Sequence, residues 1–304
     1  MDTKKVSQTE NCPYCGGTGN FFVSSTDANR QTTDAIFKYY QCSSCGLVFM
    51  HPIPENMRPF YEGGYENIPN NVAELREIAA KEKYRIESIL KYKTGGKLLE
   101  IGPWRGVFSC NAKDAGFDVA ALEIDQSCVE FLNRVVGVRA TQSSNPAETL
   151  AEMDEQFDVI VLWHSLEHLP TPWLVVQNAA KRLAPGGILL IAIPNIESYE
   201  FSLLRQSWVH LDCPRHLYFY PIQSLSKLCS ENGLVSLAVT TTDELSDILS
   251  REGWHKWVSL RIHVRYVRGA MDYLLYLYSR RKQRLGMLGT GLTALFRAPS
   301  GDVR

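Results

Sequence analysis

The stretch LLEIGPWRGVF, Leu98 to Phe108, decides the fold of this chain. Its apolar start predicts a buried strand that carries Glu100 near its end, and Gly102 and Gly106 predict a turn that leads into a helix. At such a turn, backbone N–H groups can approach a ligand at the carboxyl end of the strand. The next strand ends at Glu123, 21 residues after Gly102, where a carboxylate can accept hydrogen bonds from ribose hydroxyls. The sequence therefore predicts an adenosine-containing ligand.

The pattern continues outward from this stretch as alternating strands and helices. From Lys97 on, apolar runs alternate with helical segments; the runs are KLLEI, DVAALEI, VRAT, FDVIVLW, GILLIAIP and GLVSLAVT. Continuous apolar strands between helices indicate a parallel sheet covered on both faces. We predict a doubly wound α/β domain over residues 97–245. Around it we expect a zinc-ribbon-like module (1–60), a connecting helix (61–96) and a basic amphipathic helical tail (246–304).

Two ligands fit the adenosine prediction, a dinucleotide and S-adenosylmethionine. The dinucleotide motif G-x-G-x-x-G is absent, because Trp104 stands where its middle glycine would be. An acid two residues before the first glycine repels a pyrophosphate, whereas it suits the cationic amine of a methionine moiety. The residues therefore favour S-adenosylmethionine.

The same residues resemble class I S-adenosylmethionine-dependent methyltransferases over Lys97 to Thr240. EIGPWRG resembles the family's E/D-x-G-x-G-x-G motif, with Trp104 as a departure, and ALEID resembles its second-strand motif. FDVIVLWHSLEHLPTP and LAPGGILLIAIPN resemble its fourth-strand and fifth-strand motifs. The resemblance implies a cofactor site formed by Glu100, Gly102, Trp104, Gly106, Glu123, Asp125, Trp163 and His164.

The segment HSLEH also matches the inverted zinc-peptidase motif H-x-x-E-H. That chemistry needs both histidines on one stable helix, but Pro170 and Pro172 leave at most one helical turn after the strand. In the methyltransferase interpretation His168 is a candidate base, because a neutral histidine can accept a proton near pH 7. Glu167 is then expected to be a buried structural carboxylate.

A long segment after the fifth strand has no clear periodicity, which is typical of a loop that covers a binding site. It resembles the W-x-x-L-D-x-P-R-H-L segment of the same methyltransferase subgroup, which implies a wall of the acceptor pocket. The implied substrate-binding residues are Trp208, His210, Arg215 and Tyr218, and His216 is the second candidate base. The alternative, in which these side chains only pack and form surface ion pairs, is left open.

Two C-x-x-C pairs, Cys12/Cys15 and Cys42/Cys45, are separated by 26 intervening residues. Each pair directs two thiolates to one cation, and four thiolates form a closed structural zinc site. The remaining cysteines (Cys110, Cys128, Cys213 and Cys229) stand alone and are expected to be small buried side chains.

Composition narrows the location and the partners. The net charge of −1 does not suit a non-specific nucleic-acid binder, so we expect no DNA partner. No secretory signal or long apolar span is evident, and a reducing cytoplasm is expected.

The end of the sequence is rich in basic residues. From Arg251 to Arg304 there are eleven basic and three acidic residues. Apolar residues at helical spacing accompany them: Val264, Val267, Met271, Leu274, Leu275 and Tyr278. Such a helix can contact an anionic membrane, or it can pack on the domain or a second subunit.

We therefore expect in-line transfer of a methyl group from S-adenosylmethionine to a small-molecule acceptor, such as a sugar or a lipid-linked glycan, with histidine-assisted deprotonation. A zinc ribbon before such a domain resembles nucleotide-sugar C-methyltransferases. The alternatives are an RNA methyltransferase, disfavoured because no Asn-Pro-Pro-aromatic motif follows FDVIVLW, and a non-catalytic adaptor. The family's last antiparallel strand is expected to be missing here, and the oligomeric state stays open.

Overall fold

A computed structural model describes residues 8–61, 68–262, 265–283 and 286–301. The strands are β1 (Thr9–Asn11), β2 (Thr18–Ser25), β3 (Phe37–Cys42), β4 (Val48–Met50), β5 (Gly96–Ile101), β6 (Phe117–Glu123), β7 (Arg139–Gln142), β8 (Phe157–Trp163), β9 (Leu183–Pro194), β10 (Tyr218–Phe219), β11 (Val235–Thr240) and β12 (Gly291–Arg297). The helices are α1 (Val72–Ala79), α2 (Lys83–Leu90), α3 (Val107–Asp114), α4 (Gln126–Phe131), α5 (Pro146–Glu152), α6 (Pro172–Arg182), α7 (Tyr199–Leu204), α8 (Ile222–Glu231), α9 (Glu244–Ser259) and α10 (Arg265–Gln283).

The chain divides into two compact units. Unit 1 consists of Met1–Tyr61, Pro194–Leu225 and Thr240–Leu292, and unit 2 consists of Glu62–Ile193, Ser226–Val239 and Thr293–Arg304. The cysteine pairs and the segment 198–220 belong to unit 1. The stretch LLEIGPWRGVF belongs to unit 2.

Unit 2 carries a seven-stranded sheet in the order β11-β12-β9-β8-β5-β6-β7. β5 lies between β8 and β6 and runs parallel to both, with Leu99 opposite Ala120 of β6 and opposite Ile160 of β8. The strands read as apolar runs because helices cover them, and the core of β8, from Val159 to Leu162, has no exposed side chain. The predicted doubly wound, mostly parallel α/β fold is confirmed.

The expectation that the last strand is missing is wrong. β12 lies between β9 and β11 in the sheet. The N–H of Asn195, after β9, donates to Thr290 before β12, and the N–H of Ala298 donates to Gly187 near the start of β9. The two strands therefore run antiparallel. The segment GLTALFR suits an inner strand, because all its residues except the last, Arg297, are buried.

The connecting segment forms two helices instead of one. α1 begins after Asn71, whose side chain accepts the N–H of Glu74, and a single 3-10 turn at Ala80–Glu82 separates it from α2. At the junction between α1 and the 3-10 turn, the carbonyl of Ala79 accepts a hydrogen bond from the Asn111 side chain at 2.8 Å. This bond satisfies a carbonyl group at the end of the helix. Leu75 and Ile89 are fully buried, as expected for helices that pack on α3.

Unit 1 contains a five-stranded sheet in the order β1-β2-β3-β4-β10. β10 comes from the long segment after β9 and pairs with β4, with Tyr218 opposite Phe49. The ring of Tyr39 packs edge-on against Phe219, and its hydroxyl donates to the carbonyl of His216 at 2.8 Å. This segment is therefore part of the cysteine-bearing unit.

The predicted amphipathic helix is α10, which packs on α9 through buried Ser279 and Gln283. Its large apolar side chains are exposed instead, including Tyr266 at 90%, Tyr273 at 63% and Leu274 at 62%. Val264 lies outside the described residues. Among the described helices none is long and apolar enough to cross a bilayer. Membrane contact stays a prediction.

Candidate active site

The acids predicted from the sequence lie at the carboxyl ends of neighbouring strands. Glu100 is the penultimate residue of β5 and Glu123 the last of β6, while Trp163 ends β8 on the other side of β5. Parallel strands in one sheet place these ends at one edge. The structure of unit 2 therefore brings the predicted cofactor residues of the three strands together.

The turn after β5 depends on a backbone that most residues avoid. Gly102, Trp104 and Gly106 have φ values of +76°, +49° and +76°. Glycine adopts this left-handed region freely, whereas a residue with a Cβ pays about 1 kcal/mol. Trp104 occupies the middle-glycine position of the resembling motif and keeps the left-handed conformation. Its ring, 37% exposed, stacks with the Arg105 guanidinium at 4.3 Å.

Glu123 fixes this turn. Its Oε2 accepts the N–H of Trp104 at 2.8 Å, and its Oε1 accepts the N–H groups of Ile124 at 2.9 Å and Asp125 at 3.0 Å. Burial raises the pKa of Glu123, although the three donors act in the opposite direction. A carboxylate has about four acceptor positions, so these bonds leave one on Oε2. One further hydroxyl can bind there without disturbing the turn.

Glu100 is 2% exposed and accepts the hydroxyl of Ser109 at 2.5 Å. Burial raises the pKa of Glu100 to about 7, against the effects of the Ser109 hydrogen bond and the nearby Arg85 charge. A carboxyl group of this kind changes its charge near neutral pH. A cation that arrives beside it would favour the ionised form.

Around Trp163 the structure adds residues that the sequence interpretation missed. The Trp163 ring lies 5.8 Å from that of Phe108 and 6.4 Å from that of Tyr84, and the Arg85 guanidinium lies 5.3 Å from its centre. Arg85 and Tyr84 come from α2, outside every motif. Only the apolar periodicity of that helix hinted that one of its faces meets the sheet.

After β8 the chain forms one 3-10 turn, Leu166–His168, and α6 then begins at Pro172. His164 has φ +52°, and its Nδ1 lies 3.4 Å from Oε1 of Glu167, which is 1% exposed. Glu167 is thus buried as predicted. The single turn agrees with the reason for setting aside the peptidase interpretation. His168 is half-buried, and its N–H donates to the Ser165 carbonyl.

Asp125 caps α4. Its Oδ1 accepts the N–H of Cys128 at 2.9 Å and the hydroxyl of Ser127. Burial acts to raise the pKa of Asp125, but these hydrogen bonds outweigh it and the pKa is lowered. Capping of α4 is therefore a sufficient structural role for Asp125. A cofactor role for it stays a prediction.

The predicted acceptor residues lie in unit 1, and they are largely buried. Arg215 is 1% exposed and binds Asp27 and Asp212 at 2.8 and 2.7 Å. Trp208, 2% exposed, donates from Nε1 to Glu200 at 3.2 Å, and Tyr218 belongs to β10. The burial of Trp208 and Tyr218 favours the packing alternative for these two residues. The ion pairs of Arg215 are buried and do not lie at the surface, as that alternative expected. The substrate role of these residues stays a prediction.

The two histidines of this segment each bind a backbone carbonyl. His210 Nε2 donates to Leu249 at 2.9 Å. His216 Nδ1 donates to His210 at 2.9 Å, and a neutral His216 ring then carries its lone pair on Nε2. His216 is 8% exposed.

Four cysteine sulfur atoms in unit 1 lie within 4.8 Å of one another, those of Cys12, Cys15, Cys42 and Cys45. The Sγ atoms of Cys12 and Cys45 are 3.7 Å apart, and those of Cys15 and Cys42 are 3.5 Å apart. Zn–S bonds of about 2.3 Å in a tetrahedron place sulfur atoms about 3.8 Å apart. The donor set fits zinc. The other four cysteines are buried, as predicted.

Gly102→Ala is expected to destabilise the chain by about 2 kcal/mol and to weaken ligand binding at the turn. A Cβ there would lie 2.7 Å from Cβ of Ser165, whose hydroxyl donates to the Ile101 carbonyl. The matched control is Gly116→Ala, because Gly116 also has positive φ, +93°, but open space around it. Thermal unfolding should show the larger loss for Gly102→Ala, and equal losses would contradict the steric argument.

The order of the seven-stranded sheet, with its antiparallel β12, is the fold of S-adenosylmethionine-dependent methyltransferases. Solved structures agree in fold. This chain is similar to an S-adenosylmethionine-dependent methyltransferase of Archaeoglobus fulgidus (TM-score 0.51, 16% identity, 72% of this chain and 94% of that one). It is also similar to phosphoethanolamine N-methyltransferase 2 of Haemonchus contortus (TM-score 0.53, 12% identity, 96% and 71%).

The sequence comparisons give the family. The model of the methyltransferase domain matches residues 73–239, and the chain therefore belongs to the methyltransferase-domain family. A similar relative is the ubiquinone biosynthesis O-methyltransferase of Bordetella avium, 26% identical over 49% of this chain and 65% of that protein. Another is that of Paraburkholderia phymatum, 28% identical over 42% and 57%. The chain spans less than two thirds of the length of either relative.

Proposed function

We propose that this chain transfers the methyl group of S-adenosylmethionine to a small-molecule acceptor. The observation that carries the proposal is the pair of buried acids, Glu100 and Glu123, at the ends of adjacent strands within the matched domain. Glu123 would accept a ribose hydroxyl at its remaining position, and Glu100 would face the cationic methionine part. Gly102 and Gly106 avoid the close contacts that a Cβ would make with Ser165 and Leu132.

S-adenosylmethionine supplies a methyl group that is already activated as a sulfonium. The protein's task is then mainly to position the acceptor in line and to exclude water. An acceptor hydroxyl also needs a group that takes its proton, and we assign this role to His168 or His216. The names of the two relatives describe O-methyltransferases, which supports an oxygen acceptor. We propose a sugar or lipid-linked glycan hydroxyl as the first class to screen.

The screen incubates the full chain with radiolabelled S-adenosylmethionine and separate pools of glycans, quinols and RNA. Label in a small-molecule pool supports the proposal. Label in RNA alone would favour the RNA alternative. Binding of the cofactor with label in no pool would favour a non-catalytic adaptor.

We also propose that the four clustered thiolates hold a structural zinc ion. The sulfur spacings carry this proposal, since they match the edges of a zinc tetrahedron. A closed set of four protein ligands leaves no open position for water. The ion would therefore stabilise unit 1 without taking part in methyl transfer.

Affinity for S-adenosylmethionine is expected to rise about eightfold between about pH 6 and about pH 7.5. The pKa of Glu100 is about 7, and only its ionised form attracts a cation, so binding must release a proton at the lower pH. Calorimetry in buffers of different ionisation enthalpy measures that proton. Glu100→Gln should bind weakly with a flat profile, whereas a control at the exposed Glu152, Glu152→Gln, should keep the profile. A flat profile for the wild-type chain would contradict the role of Glu100.

His168→Asn and His216→Asn are the variants that test the base. Asparagine keeps a polar side chain but cannot take a proton near neutral pH. The variant of the true base should lose about 100-fold in turnover and the acidic limb of its pH–rate profile, with affinity for S-adenosylmethionine unchanged. Normal turnover in both variants would show that neither His168 nor His216 is the base.

A further inference from the structure

A pocket of about 410 Å³ lies entirely within unit 1. Three segments form its walls: the end of β2 with the loop after it, residues 206–213, and the chain just after α9. This volume lies in the range of pockets that bind small molecules. None of the cofactor residues assigned above lines it.

Six of the fifteen residues that line the pocket have neutral polar side chains. All six carry a hydroxyl or an amide group: Ser24, Ser25, Thr26, Asn29, Gln206 and Ser207. Apolar side chains such as Ile36, Val209 and Leu260 form other parts. Hydroxyls and amides can both donate and accept, so this wall suits a ligand that carries hydroxyl groups on a compact carbon frame.

Asp212 and Arg261 are the two charged residues that line the pocket. Together with Asp27, Arg215 and Lys256 behind the wall they leave one positive charge in excess, which favours an anion. The carboxylate of Asp212 is already satisfied, since it accepts two hydrogen bonds from Arg215 and one from Asn29. These bonds outweigh its burial and hold the pKa of Asp212 well below its usual range. Asp27, the second acid of this cluster, also binds Arg215. Lys256 Nζ donates to the Asn29 carbonyl at 3.0 Å and adds a further positive charge.

Arg261 is the lining cation. Its Nη2 donates to Ser207 Oγ at 2.8 Å, and its guanidinium stacks 4.5 Å from the Trp257 ring centre. Within the described residues it forms no ion pair with a carboxylate. Arginine has five N–H donors in a planar fork, so a held guanidinium with donors to spare can bind phosphate or carboxylate oxygens.

We propose that this pocket binds a small anionic molecule that carries hydroxyl groups, with Arg261 as the anion-binding residue. The polar wall accounts for the hydroxyl groups, and the remaining N–H donors of Arg261 account for the negative group. Trp208, one of the implied acceptor residues, also lines this pocket. The inference goes beyond methyl transfer, because the binding needs no cofactor.

The test is a ligand-observed NMR titration of the full chain, without S-adenosylmethionine, up to about 10 mM ligand. Glucose 1-phosphate and gluconate distinguish phosphate from carboxylate, and glucose and inorganic phosphate each lack half of the required chemistry. At least one anionic polyol should bind, and both partial ligands should bind about 10-fold more weakly or not at all.

Three variants locate the site. Arg261→Gln should weaken binding about 10-fold, and Ala28→Trp, which fills the pocket from an exposed lining position, should remove it. Arg251→Gln is the matched control, since Arg251 is an exposed arginine of α9 that does not line the pocket. Thermal unfolding checks that each variant is folded.

The proposal is overturned if neither anionic polyol binds the wild-type chain, or if glucose binds equally well. It is also overturned if Arg251→Gln weakens binding as much as Arg261→Gln, or if Ala28→Trp leaves binding intact. If the chain fails these tests and still binds S-adenosylmethionine, the ligand proposed for this pocket is rejected and the proposed methyltransferase function is unaffected.

Discussion

Glu123→Gln is expected to weaken binding of S-adenosylmethionine by about 100-fold. The substitution removes the charge that would meet a ribose hydroxyl. It also turns an NH₂ group toward backbone donors, either Trp104 or Ile124 and Asp125, because both carboxylate oxygens are acceptors in the native arrangement. The turn after β5 must then move. Isothermal calorimetry on the full chain measures the loss.

Two controls make this result specific. Glu152→Gln changes an exposed acid of the same unit and should bind like the wild-type chain. Thermal unfolding of Glu123→Gln separates a weaker site from a failed fold, and the variant must show a cooperative transition to count. If the folded Glu123→Gln chain binds S-adenosylmethionine with wild-type affinity, Glu123 is not part of the cofactor site.

Cys42→Ser is expected to reduce bound zinc from about one ion per chain to almost none and to loosen unit 1. A serine hydroxyl is a poor zinc ligand, and structural zinc sites contribute about 10 kcal/mol or more to the folding of small modules. Elemental analysis gives the zinc content. Limited proteolysis should show faster cleavage between β1 and β4.

The control is Cys110→Ser, since Cys110 is a buried thiol of unit 2 outside the cluster. That variant should keep its zinc, whatever its stability. A wild-type chain that contains no zinc, or a Cys42→Ser chain that retains it, would contradict the assignment of the four cysteines.

The positions of the strand-end acids could be predicted because they depend on local pattern. A continuous apolar run, an acid and a glycine turn specify where a parallel strand ends, and the two cysteine pairs specify their own turns. The hydrogen bonds of Glu123 could not be predicted in this way. One of them joins Glu123 to Trp104, 19 residues earlier, and Trp104 has a left-handed backbone that local preference would assign to glycine.

Contacts between distant segments account for the rest of what the sequence missed. Arg215 lies 188 residues from Asp27, and no local pattern pairs a buried arginine with a carboxylate that far away. β12 was missed because a strand inserted between β9 and β11 is defined by its partners. Its apolar run LTALF was the one signal in the sequence.

Equilibrium dialysis of the wild-type chain against radiolabelled S-adenosylmethionine tests the central claim most directly. If the strand-end acids form a cofactor site, binding saturates at about one molecule per chain and unlabelled S-adenosylmethionine displaces it. No saturable binding at about 1 mM ligand, with the chain folded, would contradict the account.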